Sequence, residues 1–336
     1  MAPLNNFLPN GKNLVRPECV LAHRSGWLFA PYCADSGGVS AIAPSGAAYH
    51  HRLRNPGDGV PQALFPNGIA LEDGGDFLIA HLGQTTGGIY RLRPDGTAGV
   101  VTDTVGGAPM PPANFVMPDG RGRLWITVST TLVPRARDYR PDACTGYIAL
   151  HENGETRIVA DGLGYTNECL LSADERTLWV NETFARRLTA FDVTEDGLEN
   201  RRTVATFGPG TFPDGIAQAQ DGSLFIVSIV SNRVLRVWPD GRIDTVVEDA
   251  EAAHLAEVET AFQAGTMGRP HLDVAHSRVL RNISNLAFGG ADLKTAYLGC
   301  LLGDSIVSFD SPVAGRALPH WTHSIDPLLD SFGVQP

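Results

Sequence analysis

Six times along this chain a polar residue sits at a turn and is followed at once by an apolar strand. The six are Glu18 in RPECVLAH, Asn67 in FPNGIAL, Asn114 in PPANFVM, Asn167 in YTNECLL, Asp214 in FPDGIAQ and Asn285 in ISNLAFGG. Successive members lie 49, 47, 53, 47 and 71 positions apart. A repeat of about fifty residues with four strands per unit is the signature of a β-propeller blade. The consequence is chemical as well as architectural. Equivalent positions in successive blades converge on the central axis, so one oxygen-bearing side chain per blade, at the same place, makes a cation site.

The remainder of each unit repeats too. The stretches GIALEDGGDFLIAHLG, FVMPDGRGRLWITVS, CLLSADERTLWVNE and GIAQAQDGSLFIVSI each join two apolar runs across a polar turn. A third strand follows in GGIYRLRPDG, TGYIALHENG, RLTAFDVTEDG, NRVLRVWPDG and DSIVSFDSPVAG. The alternation in IYRLRPDG and VLRVWPDG has the period of two that a half-buried strand requires. Closing PDG, ENG and EDG turns carry residues that tolerate positive φ. A last strand, as in GTAGVVTD and RIDTVVED, runs outward. One stretch, EDAEAAHLAEVETAFQAG, reads as helix and falls in the long step before Asn285. The expected fold is all-β, a six-bladed β-propeller with a short helical insertion between blades 5 and 6, forming a single domain over residues 1–336. The 37 glycines and 23 prolines suit a chain of many turns.

Charge narrows the partners. The formal net charge is −11, and Lys12 and Lys294 are the only lysines. Neutralising phosphates needs clustered basic side chains, so no nucleic-acid partner is expected. No apolar run approaches the ~18 residues of a membrane span, so no membrane partner is expected either. The opening MAPLNNFLPNGKNLV has neither a basic n-region nor a long apolar segment. Five cysteines (Cys19, Cys33, Cys144, Cys169 and Cys300) are odd in number and lack CxxC spacing, which reads as free thiols. These features together predict a cytoplasmic protein acting on a small molecule.

The axial set carries the chemistry. Glu18 and Asp214 bring two carboxylates, and Asn114 and Asn167 bring amide oxygens. Such a hard-oxygen set suits one divalent cation, Ca²⁺ first and Mg²⁺, Mn²⁺ or Zn²⁺ as further choices. A single Asn or Asp before Gly is a turn former for backbone reasons alone. Six in phase are not explained that way, since no turn requirement places Glu at the first position.

The phrases YTNECLLSADERTLWVNETFARRLTAFDV, FPDGIAQAQDGSLFIVSIVSNRVLRVWPDG and ISNLAFGGADLKTAYLGC resemble the senescence marker protein/gluconolactonase family, which includes the regucalcin-like proteins. More distantly the chain is similar to paraoxonase and strictosidine synthase-like propellers. The resemblance implies that Glu18, Asn114, Asn167 and Asp214 are metal ligands, that Asp214 is also catalytic, and that the activity is metal-dependent opening of a lactone. In that mechanism the ion polarises the ring carbonyl and Asp214 assists attack by water. Three departures stand out. The family's EGP or ESP is Glu18-Cys19-Val20 here, its sugar-binding Arg is replaced by Pro112, and its Asn-Gly has become Asn167-Glu168. The lost Arg points to a less hydroxylated lactone, with Phe115, Cys19 and Cys169 making the pocket floor less polar and Glu168 adding an acid beside the metal.

Substrate would be read by the turns after each second strand, 32–36, 81–86, 129–144, 182–186, 229–232 and 300–304. Candidate substrate contacts are Asn67, His81, Phe115, Arg135, Arg137, Glu168 and Asn285. The helical insertion over 250–282 could cover the pocket or pack outside the ring. Other chemistries on the same scaffold are a metal-dependent lyase, cyclase or isomerase, an organophosphate or aryl ester hydrolase, and a non-catalytic metal-binding propeller.

Overall fold

The computed structural model describes residues 1–334 and contains the six-bladed propeller. Blade 1 is Leu21–Ala22, Leu28–Tyr32, Gly38–Ile42 and Ala48–Arg52. Blade 2 is Pro66–Leu71, Phe77–His81, Gly88–Leu92 and Thr97–Thr102, with Asn55–Pro56 added parallel to its outer edge. Blade 3 is Ala113–Pro118, Leu124–Val128, Gly146–Glu152 and Glu155–Leu163. Blade 4 is Thr166–Leu171, Thr177–Glu182, Arg187–Val193 and Leu198–Thr206. Blade 5 is Phe212–Gln218, Leu224–Ile229, Arg233–Val237 and Ile243–Glu248. Blade 6 takes Ile283–Gly289, Thr295–Cys300 and Ile306–Asp310 from the end of the chain and Leu8–Asn10 from its beginning. That last strand pairs antiparallel with Ile306–Asp310, so the two ends of the chain close the ring in one sheet. Closure of this kind leaves only short, protected edges.

Burial follows the order of strands within a blade. The innermost strands of blades 2 and 4 are buried at all six positions, while the outermost strand of blade 4 is mostly exposed. Phe29, Phe77 and Trp125, all fully buried, belong to a core that runs between the first four blades. Fully buried apolar side chains of this size are each worth roughly 1.5–3 kcal/mol.

A β-bulge interrupts the innermost strand of blades 2 to 6, between Pro66 and Ile69, Ala113 and Phe115, Thr166 and Cys169, Pro213 and Ile216, and Ile283 and Asn285. The polar residue of the repeat lies at this irregularity each time. A bulge re-aims a side chain, here toward the axis. Glycine follows Asn67 and Asp214 because the next blade is too close for more. A Cβ on Gly68 would come 2.5 Å from Phe115 Cδ2, and one on Gly215 would come 2.5 Å from the Ser284 carbonyl oxygen.

The insertion forms helix α1 (Ala252–Gln263), within the stretch expected to be helical. A second short helix, α2 (Asp326–Ser331), was not expected from the sequence. Among the described residues no helix is long and apolar enough to cross a membrane.

Candidate metal centre

Glu18, Asn114, Asn167 and Asp214 line one cavity on the axis, and all four are buried. Its space, mouth included, is about 370 Å³. The remaining walls are Arg16, Arg135, Tyr139, Tyr165, Thr183, Phe184, Ile229, Arg269, Leu272 and Leu301.

Each amide is fixed by its own blade. Asn114 Nδ2 donates to Ser129 Oγ at 3.0 Å, and Asn167 Nδ2 donates to Thr183 Oγ1 at 3.1 Å. Both hydroxyls follow directly on the second strand of the blade. Thr183 in turn donates to the Pro213 carbonyl at 2.8 Å, tying blade 4 to the strand that carries Asp214. With the nitrogens held back, the two amide oxygens face the cavity. Neither Asn114 Oδ1 nor Asn167 Oδ1 has a hydrogen-bond partner among the described residues, and the same is true of Glu18 Oε2. Arg16 Nη2 lies 2.5 Å from that Glu18 oxygen as an ion pair, without the alignment of a hydrogen bond. The Asp214 carboxylate also accepts no hydrogen bond from the described residues.

Eleven buried polar atoms in the described structure lack a partner, and four of them belong to residues of this one cavity. Buried polar groups are normally satisfied, so a cluster of orphaned oxygens aimed at one point has the form of a cation cradle. No three His, Cys, Asp or Glu side chains among the described residues come together to hold a metal. A cation here would therefore need the amide oxygens as well as the two acids. Donor chemistry and orphaned atoms both fit a hard divalent ion.

The electrostatics agree. Burial first, and then the Glu18 and Glu168 charges, push the Asp214 carboxyl well above the usual carboxylate range, against the opposing pull of Arg16 and Arg135. Two buried acids whose charges oppose one another are costly unless a cation joins them. Strained backbone surrounds the same point. Arg16 (φ 54°) and Tyr165 (φ 69°) hold left-handed conformations, each two positions before a cradle residue. Such strain clusters at functional sites.

The other expected contacts scatter. Arg135 lines the cavity, from the short turn Arg135–Asp138. Arg137, two positions further along the same turn, is exposed and only reaches the Val133 carbonyl. Asn67 is buried beside the tier, but its amide is fully engaged: Nδ2 donates to the Asn114 carbonyl at 3.1 Å and Oδ1 accepts from Arg16 at 3.2 Å. His81 lies off the axis, with Nδ1 accepting from Phe65 N at 2.9 Å and burial pushing the ring down to about 4.

Phe115, Glu168 and Asn285 lie on the far side of the tier. They line a second axial cavity with Cys19 and Cys169, whose walls also include Arg316, His320, Trp321 and His323. Glu168 was expected beside the metal, but it lines this second cavity and not the one that Glu18, Asn114, Asn167 and Asp214 share. Asn285 Nδ2 donates to both its oxygens, at 2.7 and 2.9 Å, and Ile216 N donates at 3.2 Å. Burial pushes the Glu168 carboxyl up to about 8. The sequence argument for an apolar body through Phe115 joins that ring to the four oxygen-bearing residues, and the structure separates them, since Phe115 does not line their cavity.

Four of the six expected loops contribute walls, through Arg135, Tyr139, Thr183, Phe184, Ile229 and Leu301. The turns at 32–36 and 81–86 do not. The insertion lies on the cavity side. Val258 and Phe262 of α1 pack with Tyr139, Tyr165, Phe184 and Phe212, and Arg269 and Leu272 reach the cavity wall. Arg186 anchors the helix, pairing with Glu259 at 2.6 and 3.0 Å and stacking on Phe212 and Phe262. Residues that sequence reasoning missed are Arg16, Ser129, Thr183, Tyr165 and Arg269. A signal existed for two of them, since Ser129 and Thr183 end equivalent second strands with a hydroxyl.

Comparison with known proteins gives a family and a fold. The SMP-30/Gluconolactonase/LRE-like region matches residues 59–258, which include Asn114, Asn167 and Asp214. Lactonase drp35 of Staphylococcus saprophyticus is 28% identical over 184 residues, covering 51% of this chain and 52% of its own length. The match thus spans about half of that relative. The 6-deoxy-6-sulfogluconolactonase of Pseudomonas putida is 27% identical over 258 residues, 74% of each chain. Among solved structures, a gluconolactonase from Xanthomonas campestris superposes with a TM-score of 0.65 at 18% identity, covering 91% of this chain and 89% of its own.

Proposed function

The chain belongs to the SMP-30/gluconolactonase/LRE-like family, and from that premise we propose that it is a divalent-metal-dependent hydrolase that opens a lactone. The observation that carries the reading is the tier of orphaned oxygens on the axis: Glu18, Asn114 and Asn167 each present a buried oxygen without a partner, beside Asp214. The names of the two curated relatives, both lactonases, support the same class.

In this reading Glu18, Asn114, Asn167 and Asp214 hold the cation, with Ca²⁺ the first choice because amide oxygens and few charges suit a large, hard ion. When bound, such an ion supplies Lewis acidity toward a carbonyl oxygen and acidifies water. The side chains do the rest. Ser129 and Thr183 keep the two amide oxygens turned inward, so the cradle is formed before anything binds. Arg16 balances Glu18 and fixes it. Tyr165, Phe184, Ile229, Leu272 and Leu301 wall the cavity with apolar surface and limit the entry of water. Asp214 is the proton acceptor for the attacking water. That water adds to the ester carbonyl carbon, the ring C–O bond breaks, and the proton passes to the leaving alkoxide, giving a hydroxy acid.

The test is a hydrolysis screen over aliphatic, aromatic and sugar lactones, followed by proton release, with and without chelator. Opening of at least one lactone class, abolished by chelation and restored by Ca²⁺ or another divalent ion, is expected. Chelator-insensitive turnover, or no turnover of any lactone, would overturn the proposal.

A further inference from the structure

Three guanidinium groups surround the cavity above the cradle, and they are not equivalent. Arg16 is committed, pairing with Glu18, donating to Asn67 Oδ1 and lying over the Phe65 ring. Arg269 is paired with Asp273 toward the rim. Arg135 has neither a hydrogen bond nor an ion pair among the described residues, and its Nη1 is buried. An arginine carries five donors and no acceptor. Burying one of those donors with nothing to receive it is costly, and the cavity's own acids do not meet it.

Charge counting sharpens the point. With a divalent ion between Glu18 and Asp214 the cradle is neutral. Arg16, Arg135 and Arg269 then face Asp273 toward the rim and Glu168 across the tier, leaving at least one positive charge in excess around a small cavity. A neutral ring would leave that excess unanswered. We propose that the substrate is an anionic lactone, its carbonyl turned to the cradle and a carboxylate or sulfonate on its body received by Arg135, with Arg269 adding to the field from the rim. Planar, bidentate recognition of an oxyanion is what a guanidinium does best. The inference rests on the lactone-opening reading and adds the substrate's charge to it.

The test compares matched pairs that differ only in the acid group: γ-butyrolactone with its 5-carboxylate, and glucono-lactone with glucaro-lactone. The carboxylated member should be favoured in kcat/KM by about 10- to 100-fold, the value of one charge-assisted contact, with the preference weakening as salt is added. Arg135→Gln should bring that ratio close to one, mainly through KM, and Arg135→Lys should keep part of it. A ratio near one in the native protein, or a ratio that Arg135→Gln leaves intact, would overturn the proposal. Failure of the lactone reading shows differently, as no turnover of either member. In that case calorimetric titration of the calcium-loaded protein with glutarate judges the anion site alone. A saturable heat lost in Arg135→Gln supports it, and no heat, or heat unchanged in the variant, refutes it.

Discussion

The axis of this propeller holds two cavities that share a wall, and they differ in what their polar groups lack. Above the wall, Glu18, Asn114 and Asn167 present oxygens with nothing to receive, under the unpaired Arg135. Below it, Glu168 is an equally buried acid, yet Asn285 and Ile216 satisfy it. The lower space is the larger, about 890 against 370 Å³ with open space included, and mostly aliphatic, with Gln218 and Arg316 each leaving one atom unpaired. Asn167 and Glu168 are neighbours in sequence and face opposite cavities. Size and enclosure alone would choose the lower space as a ligand site, whereas unpaired polar chemistry chooses the upper. Orphaned groups built at a cost are the better guide to function.

The largest effects should come from the cradle. Asp214→Asn keeps shape and an oxygen but removes the proton acceptor, so kcat should fall by about a thousandfold or more while the fold survives. Glu18→Gln removes one of two anionic donors, and divalent-ion affinity should drop by at least ~100-fold. Ion content after dialysis and kcat at saturating metal separate the two outcomes. If Asp214→Asn keeps most of its turnover, Asp214 is a ligand only and the upper cavity lacks its base.

One shell out, Ser129→Ala and Thr183→Ala should each weaken metal binding by about tenfold, because each releases an amide to rotate. Turnover at saturating metal should largely return. Calorimetric titration with Ca²⁺ measures this directly. Unchanged affinity in both variants would mean that the amide oxygens are not ligands, and the contrast between the cavities would then rest on the carboxylates alone.

How much of this was legible in the sequence follows from what repeats. The cradle could be read because three of its four residues, like Asn67 and Asn285 in their own blades, sit at a bulge of an otherwise regular strand, and the repeat marks them without any structure. The side of the wall could not be read. Phe115 and Glu168 follow their Asn directly at the bulge, where period-two alternation fails, so adjacency in sequence to Asn114 and Asn167 does not carry over into sharing their cavity. They fill the room left by Gly68 and Gly215, whose added Cβ would lie 2.5 Å from Phe115 Cδ2 and 3.2 Å from Glu168 Oε2. Blade count and the helix were visible from spacing and composition. Closure of blade 6 by Leu8–Asn10 was not, since a three-residue strand carries no periodicity. Arg16 and Arg269 reach the cavity through loop geometry, which no short motif encodes.

His81 sharpens the comparison from outside both cavities. Its Nδ1 accepts from Phe65 N, which protonation would forbid, and burial holds the ring down to about 4. An unfolded histidine titrates near 6.5, so the unfolded chain takes up its proton first as pH falls. The His81 contribution is therefore fully present above about pH 6.5 and is lost as pH drops toward 4. His81→Gln offers an acceptor that does not titrate. Denaturant melts at pH 7 and pH 4.5 should show the native chain losing on the order of 2 kcal/mol more than the variant between the two. Equal losses would mean that the ring is not held neutral.

The smallest effect should come from the lower cavity. Glu168→Gln conserves volume and keeps an oxygen for Asn285 Nδ2, whose bonds to the native carboxyl are 2.7 and 2.9 Å. With that oxygen at the Oε2 position, the bonds from Ile216 N at 3.2 Å and from Asn285 Nδ2 at 2.9 Å are kept, and what is lost is the 2.7 Å bond at Oε1. A single hydrogen bond is worth about 0.5–1.5 kcal/mol net, so stability should shift by no more than that. If the wall separates the two spaces functionally, ion content should stay at the native level and kcat/KM should change by less than about threefold. That outcome would set a buried acid next in sequence to a ligand apart from the chemistry it adjoins. A loss comparable to Asp214→Asn would instead make the two cavities one site, with Glu168 acting on the cradle through the wall, and the contrast drawn from their hydrogen bonding would fall.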